Sequence, residues 1–343
     1  MNYRLLQAFS LAILTPLAAS LAASELQGRP LFTDDSVIEL SLEGPLSATL
    51  DDREAREERA FSLRTGADGV PLEVRVRGKS RARICRFAPL RLDFEPSATA
   101  GTVFAGQDKL KLVLPCHDSD RAERDVLEEY AAYRIFNLLS DRAYRVRPLR
   151  VRFVDTDRPG EPPLMVRHAF VLESDEELSA RIGLPEARIP AVRRSELQAD
   201  QAATVFIFEY LVGNTDWSLV TADGEEWCCH NLRLFGGAPD LYAVPYDFDL
   251  AGLVDAKYAK PDASLRIRSV TQRQYRGYCI DPAALQAALA RISAQRDAIL
   301  AVPRSLPLLD GKQSETRARY LEGFFEQAEN APKLLRRFED QCL

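Results

Sequence analysis

Residues 241–252 read LYAVPYDFDLAG. Six of the first eight suit the middle of a buried strand, and Asp247 and Asp249 then follow two positions apart. Side chains at i and i+2 of a strand share a face, so two carboxylates would stand side by side at the end of an apolar element. Such a pair calls for a positive partner, either a metal ion or basic side chains.

The neighbouring sequence supplies a frame for it. NLRLF and the turn GGAPD precede the stretch and make it the second arm of a hairpin. Further upstream, SELQADQAATVFIFEYLVGN has the apolar spacing of a helix, with Ser195 near its start and Gly213 as its stop. NTDWS follows at once and puts Asp216 in a loop. DPAALQAALARISAQRDAIL, with Pro282 in a first turn, and SETRARYLEGFFEQAENAPKLLRRF close the chain as helices.

The first half has a different rhythm. PLEVRVRG, PLRLDFE and DKLKLVL alternate as strands, and RPLRVRFVDTDRPGEPPLMVRHAFVLES reads as two strands about a Pro/Gly turn. Between them, ERDVLEEYAAYRIFNLL places Leu127, Tyr130, Ala131, Ile135 and Leu138 at helical spacing, with Asp120 and Glu123 as a capping box. The charge run DDREAREERA at 51–60 reads as a solvated turn or short helix. The expected class is therefore α+β: a strand-rich part with one embedded helix, then a mainly helical part carrying the acidic hairpin.

Composition limits the partners. The 343 residues are 46% hydrophobic and 28% charged, as in a globular protein, and the net charge of -6 excludes nucleic acid as a general electrostatic partner. The opening MNYRLLQAFSLAILTPLAASLAAS has the basic start, apolar run and small-residue end of a secretory signal. The expected division is a signal peptide at 1–24, a β-rich lobe at 25–173 and a helical lobe at 174–343. The mature chain would be secreted or periplasmic, with no membrane span after cleavage.

Six cysteines in an exported chain favour disulfides. The expected pairs are Cys85 with Cys116, and Cys228 or Cys229 with Cys279. The alternative is a zinc site at CCH, where His230 follows the vicinal pair, although no CxxC spacing accompanies it. His117 and His168 show no partner pattern.

An acid just after a helix stop, opposite a hairpin that delivers more acids, suits a divalent cation and a phosphate. Hard cations take oxygen ligands, commonly one or two carboxylates with phosphate oxygens and water. Phosphoryl transfer adds an acid that orients the attacking hydroxyl, and a cation that clamps phosphate. Asp216 suits the orienting role and Asn231 with Asp247 the metal. Asp249 is a second ligand or a brace for Gly252. Seven bases with no acid among them run from Arg75 to Arg91 and include Arg77 and Lys79, forming either an anion site or a solvated strand face. No GxSxG turn argues for a serine hydrolase.

Several of these pieces, in order, resemble the CotH-like atypical kinases, relatives of the spore-coat kinase, with a looser echo of HipA-type kinases. They are VRVRGKSRARICRFAPLRLDF, DSDRAERDVLEEYAAYRIFNLL, RHAFVLESDEEL, and EYLVGNTDW with HNLRLF and VPYDFDLAG, spanning about residues 72 to 252. The resemblance implies a two-lobed protein-kinase-like fold and a divergent exported member. It makes Asp216 the catalytic acid or base, Asn231 and Asp247 metal ligands, and Glu173 the hinge residue. The phosphate-clamping lysine is Lys109 or Lys111, paired with Glu128 or Glu129. The cofactors implied are ATP and Mg2+ or Mn2+. Thr221 stands where the family has its Asn, with Asn231 only after the insert TADGEEWCC, and Tyr246 replaces the family's Trp.

The function expected is that of a kinase-like protein that binds nucleotide or phosphate with a divalent metal and phosphorylates a protein or glycan. Two alternatives stand beside it. One is a non-catalytic envelope binding module whose basic face holds an anionic polymer or a protein, and the other is a metal-dependent phosphoesterase.

Overall fold

The computed structural model describes residues 30–66, 69–220, 227–306 and 309–343. The signal segment at 1–24 and Thr221 lie outside the described residues.

Alternating apolar residues build the strands of the first half. In chain order these elements are β1 (Ile38–Gly44), α1 (Leu46–Asp51), β2 (Arg59–Arg64), β3 (Gly69–Val76), α2 (Ser80–Ile84), β4 (Leu90–Phe94), β5 (Lys109–Val113), α3 (Asp120–Leu139), β6 (Val146–Asp155) and β7 (Met165–Leu172). The strands join in the order β1-β2-β3-β4-β5-β7-β6 and close on themselves. The pair that closes the sheet is β1 with β6, parallel, from Ile38 opposite Leu149 to Gly44 opposite Asp155. The other barrel pairs are antiparallel. Leu42, Leu72, Val74, Leu92 and Val151 belong to the core this barrel encloses.

That closure overturns the two-lobed protein-kinase-like fold. An open strand-rich lobe has two free edges, whereas here β1 covers the edge of β6 and the ring of seven strands has none. The run at 51–60 is mostly exposed, and 52–58 form an irregular connection, close to the solvated turn expected and not a helix. Asp51 ends α1, Arg59 and Ala60 begin β2, and Asp52 between them holds the Arg59 guanidinium at 3.0 Å.

The second half continues with α4 (Asp175–Ile182), α5 (Ala199–Val212), β8 (Leu232–Gly237), β9 (Asp240–Pro245), α6 (Pro282–Ala294), α7 (Arg296–Arg304), α8 (Gly311–Ala328) and α9 (Ala331–Gln341). Gly213 ends α5 in the left-handed conformation at φ 68°, where glycine has no steric cost. The stretch that reads as one helix before residue 300 is two, with Gln295 between α6 and α7. The α3 N-cap is Ser119 and not Asp120, its side chain accepting from the Ala122 amide. Glu123 instead accepts from the His168 amide and ring at 2.7 and 2.8 Å, so His168 is a buried structural residue.

A second core is built on α3, α5, the β8–β9 hairpin and the last helices, and Val113, Phe170 and Leu172 reach it from the barrel strands. The barrel and the helices thus meet along α3, where Arg317 of α8 also binds Glu128 at 2.6 Å.

The Cys85–Cys116 disulfide forms as expected, but the other pairing does not. Cys228 bonds Cys229, and Cys279 bonds Cys342. The main chain explains the second bond, since Cys279 and Gly277 exchange backbone hydrogen bonds with Leu343 and bring the C-terminus to Cys279. Disulfide-bonded sulfurs are not thiolate ligands, which removes the zinc alternative at Cys228, Cys229 and His230. Among the described residues no helix is long and apolar enough to cross a membrane. The disulfides and this absence are both compatible with an exported protein.

Candidate functional site

The β8–β9 hairpin fixes the first part of the site by its register. Leu232 pairs with Pro245, so Asn231 and Tyr246 stand opposite each other just beyond the ladder, and the Tyr246 amide donates to the Asn231 carbonyl at 3.1 Å. Asn231 and Asp247 both have left-handed backbones, at φ 53° and 64°. That conformation is costly for residues with a Cβ and persists where surrounding contacts enforce it. At Asp247 one such contact is the Tyr133 hydroxyl, which accepts from its amide at 2.8 Å.

The Asp216 loop meets this hairpin. The Asn231 side-chain nitrogen donates to the Asp216 carbonyl at 2.7 Å and to its Oδ2 at 3.1 Å. His230 Nε2 lies 3.1 Å from Oδ1, so both carboxylate oxygens have neighbours. The Asp216 amide donates to Asn214 Oδ1 at 3.0 Å, a local turn that sets the direction of the side chain.

On the barrel side the compensating cation is an arginine. Arg81, in α2, places Nη1 3.1 Å from Glu129 Oε2 and donates from Nη2 to the Leu114 carbonyl at 3.0 Å. Its Nε lies 3.8 Å from Asp249 Oδ2, an ion-pair distance too long for a hydrogen bond, and this buried donor makes no hydrogen bond. Tyr258 donates to the same Asp249 oxygen at 3.0 Å. Burial, and then the charge of Asp247, push Asp249 up to about 7 against the pull of Arg81. Burial likewise pushes Glu129 up to about 8, with Asp249 and Asp247 adding to it and Arg81 opposing. One guanidinium therefore faces two buried acids, Glu129 and Asp249, whose burial favours their neutral forms and whose contact with Arg81 opposes it.

Arg77, Lys79, Arg81, Glu129, Tyr133 and Asp247 line a cavity of about 40 Å3. Members of the basic run and Asp247 line this one cavity, so the two features singled out in the sequence share its wall. Asp247 is the largest of the charges that favour the cationic form of the half-buried Arg77, against its burial.

The other expected residues sit elsewhere. Lys111 binds Asp175 at 3.3 Å and lies over the Tyr144 and Tyr246 rings at 5.8 and 5.6 Å, beside the site but without Glu129 as its partner. Lys109 is half-exposed, 3.6 Å from Asp108. Glu173 is buried and gripped by Arg181 Nε and Nη2, both at 2.8 Å, and it also accepts from the Arg145 amide. Glu129 therefore pairs with Arg81 and with neither expected lysine. Arg81, Tyr133 and Tyr258 escaped the sequence reading. Tyr133 had a signal, standing four residues after Glu129 on one face of α3. Arg81 had none that set it apart from the other bases of its run.

The fit of a divalent cation depends on the donors. Among the described residues no three or more His, Cys, Asp or Glu side chains form a metal-holding group. Asp249 faces Arg81 and Tyr258, and Asp216 faces His230 and Asn231. The Asp247 carboxylate, on the cavity wall, and the Asn231 amide oxygen, outside the cavity lining, are the donors left, and a magnesium-type ion would need phosphate oxygens and water to complete its shell.

The sequence matches no family model and no curated protein. Among solved structures, the crystal structure of a Helicobacter pylori proinflammatory kinase, CtkA, is similar at 10% identity over 71% of this chain and 95% of that one, with a TM-score of 0.39. A likeness of that degree decides neither fold nor function.

Proposed function

We propose that the chain binds a phosphoryl group where the barrel meets the helical part, together with a divalent cation on Asp247 and Asn231, and that Asp216 serves as the acid–base group of a phosphoryl transfer. The observation that carries this reading is Arg81, a buried guanidinium lining the 40 Å3 cavity, whose Nε makes no hydrogen bond and has only the Asp249 carboxylate 3.8 Å away. A phosphate oxygen satisfies such a donor, and Arg77 and Lys79 add positive charge on the same wall. The cation would neutralise Asp247 and the bound phosphate together, as phosphoryl-transfer sites require.

The cavity holds roughly three water molecules or one phosphoryl group. A nucleoside needs several times that space. ATP as donor would thus insert its terminal phosphate and keep its base outside. The acceptor in this reading is a protein or glycan met by an exported enzyme.

A non-catalytic phosphate-binding module is the second reading, favoured by one observation: both Asp216 oxygens are already engaged by His230 and Asn231. Thermal melting of the full chain with inorganic phosphate, Mg2+, both together, and Mg2+ with ATP tests the binding common to both. Saturating ligand at about 100 times Kd stabilises by about 2.7 kcal/mol. The expected result is stabilisation by phosphate with Mg2+ that is lost in Arg77→Gln. No stabilisation under any of these conditions overturns the reading.

A further inference from the structure

The Asp216 loop grows directly from the end of α5, and there the helix carries a buried acid with no assigned part in the site. Glu209 is 1% exposed, and neither of its carboxyl oxygens has a hydrogen-bond partner. Asn214, also 1% exposed, follows the left-handed Gly213 and donates its amide to the Glu209 carbonyl at 2.8 Å. The Asn214 side-chain nitrogen is likewise without a partner, and it adjoins the Glu209 carboxyl short of hydrogen-bond geometry. At its other end, Asn214 Oδ1 is the acceptor for the Asp216 amide.

Two buried orphans of complementary chemistry side by side are costly apart and satisfied together. Burial pushes Glu209 well above the usual carboxylate range, the Asn214 side chain pulls the other way and the Asp216 charge adds to the rise, which together favour the neutral acid. A neutral carboxyl presents a carbonyl that accepts from the Asn214 nitrogen and a hydroxyl that donates back to the amide oxygen. Ionised, it would keep only the first bond and repel Asp216.

We propose that Glu209 is the positioning residue of the Asp216 loop: its carboxyl holds the Asn214 side chain, and Asn214 fixes the Asp216 amide and thereby the carboxylate between His230 and Asn231. The inference extends the reading in which Asp216 is the acid–base group, and it is tested without any ligand or activity.

His230 reports on Asp216, since its ring nitrogen lies 3.1 Å from Oδ1 and the chain has only three histidines to assign. Proton NMR of the His230 ring in the full chain is compared among wild type, Asp216→Asn, Glu209→Gln and Glu209→Met, the signals being assigned with His230→Gln. Glu209→Gln, which keeps a donor and an acceptor, is expected to leave the His230 signals in place. Glu209→Met is expected to move them toward their Asp216→Asn positions. If Glu209→Met fails to fold, Asn214→Ala takes its place with the same expectation. Wild-type His230 signals in a folded Glu209→Met or Asn214→Ala protein, or equal displacement in Glu209→Gln and Glu209→Met, overturn the proposal. A chain that binds no phosphate yet shows the expected pattern separates this inference from the functional reading.

Discussion

Arg81 and Glu129 meet at 3.1 Å inside the molecule, and the same guanidinium turns its Nε, which makes no hydrogen bond, toward Asp249. The pair ties α2, on the barrel, to α3, on which the helical part is built. Removing one partner of a buried ion pair leaves the other charge uncompensated and costs about 3–5 kcal/mol, whereas replacing both by apolar groups is often nearly neutral. Arg81→Met should therefore lower the urea unfolding free energy by about 3–5 kcal/mol. Arg81→Met with Glu129→Met should recover part of that loss. A neutral single variant would mean that Arg81 does not compensate these acids.

The pH dependence of stability should show two limbs from one helix. Burial pushes Glu128 up to about 7 despite Arg317, from an ordinary value of 4.5. Its favourable contribution is complete below about 4.5 and is lost as pH rises through 7. Burial also acts on Glu123, but the His168 ring and amide and Arg167 outweigh it and hold the group down at about 2. Its contribution is present above about 4.5 and is lost as pH falls toward 2. Melting temperature against pH should accordingly flatten on the neutral side in Glu128→Gln and on the acid side in Glu123→Gln. Unchanged limbs in both variants would contradict these environments.

Tyr320 sits where α5 ends. A Cβ placed on Gly213 or on Gly252 would strike its hydroxyl first, and that hydroxyl is buried without a partner. Tyr320→Phe should be neutral or slightly stabilising. Gly213→Ala should destabilise, through the clash and through the left-handed backbone, whose own cost is about 1–2 kcal/mol. Tyr320→Phe should relieve the first part only, so the double variant falls between. Strict additivity in urea unfolding would show that the hydroxyl is not the obstacle.

Peptide mapping under non-reducing conditions should return Cys85 with Cys116, Cys228 with Cys229 and Cys279 with Cys342. The last closes a long loop, with partners 63 positions apart. Replacing both by serine should cost up to about 4 kcal/mol on loop-entropy grounds. A Cys229–Cys279 peptide would contradict the fold of the second half.

Local elements were legible where their cause is local. Gly213 announces the end of α5, and alternating apolar residues announce β6, β7 and the β8–β9 hairpin. The barrel was not, because its closing pair joins Ile38 to Leu149 and nothing in the β1 sequence names so distant a partner. The site was legible in part. Asp216 and Asn231 do meet, and Asp247 shares a cavity with Arg77, Lys79 and Glu129. The partner of Glu129 was not readable, because lysines near α3 and arginines in the basic run are equally good cations until the fold buries one of them. The Arg181 partner of Glu173 was likewise not readable, since the sequence context is silent about it.

The most direct measurement is calorimetric titration of the full chain with Mn2+ and ATP, alone and together, in wild type and in Asp247→Asn. A joint phosphoryl and cation site predicts strong heat only when both ligands are present, and its loss in a folded Asp247→Asn protein. No heat in the wild type, or equal heat in Asp247→Asn, would contradict the site at the meeting of Asp247, Arg77 and Arg81.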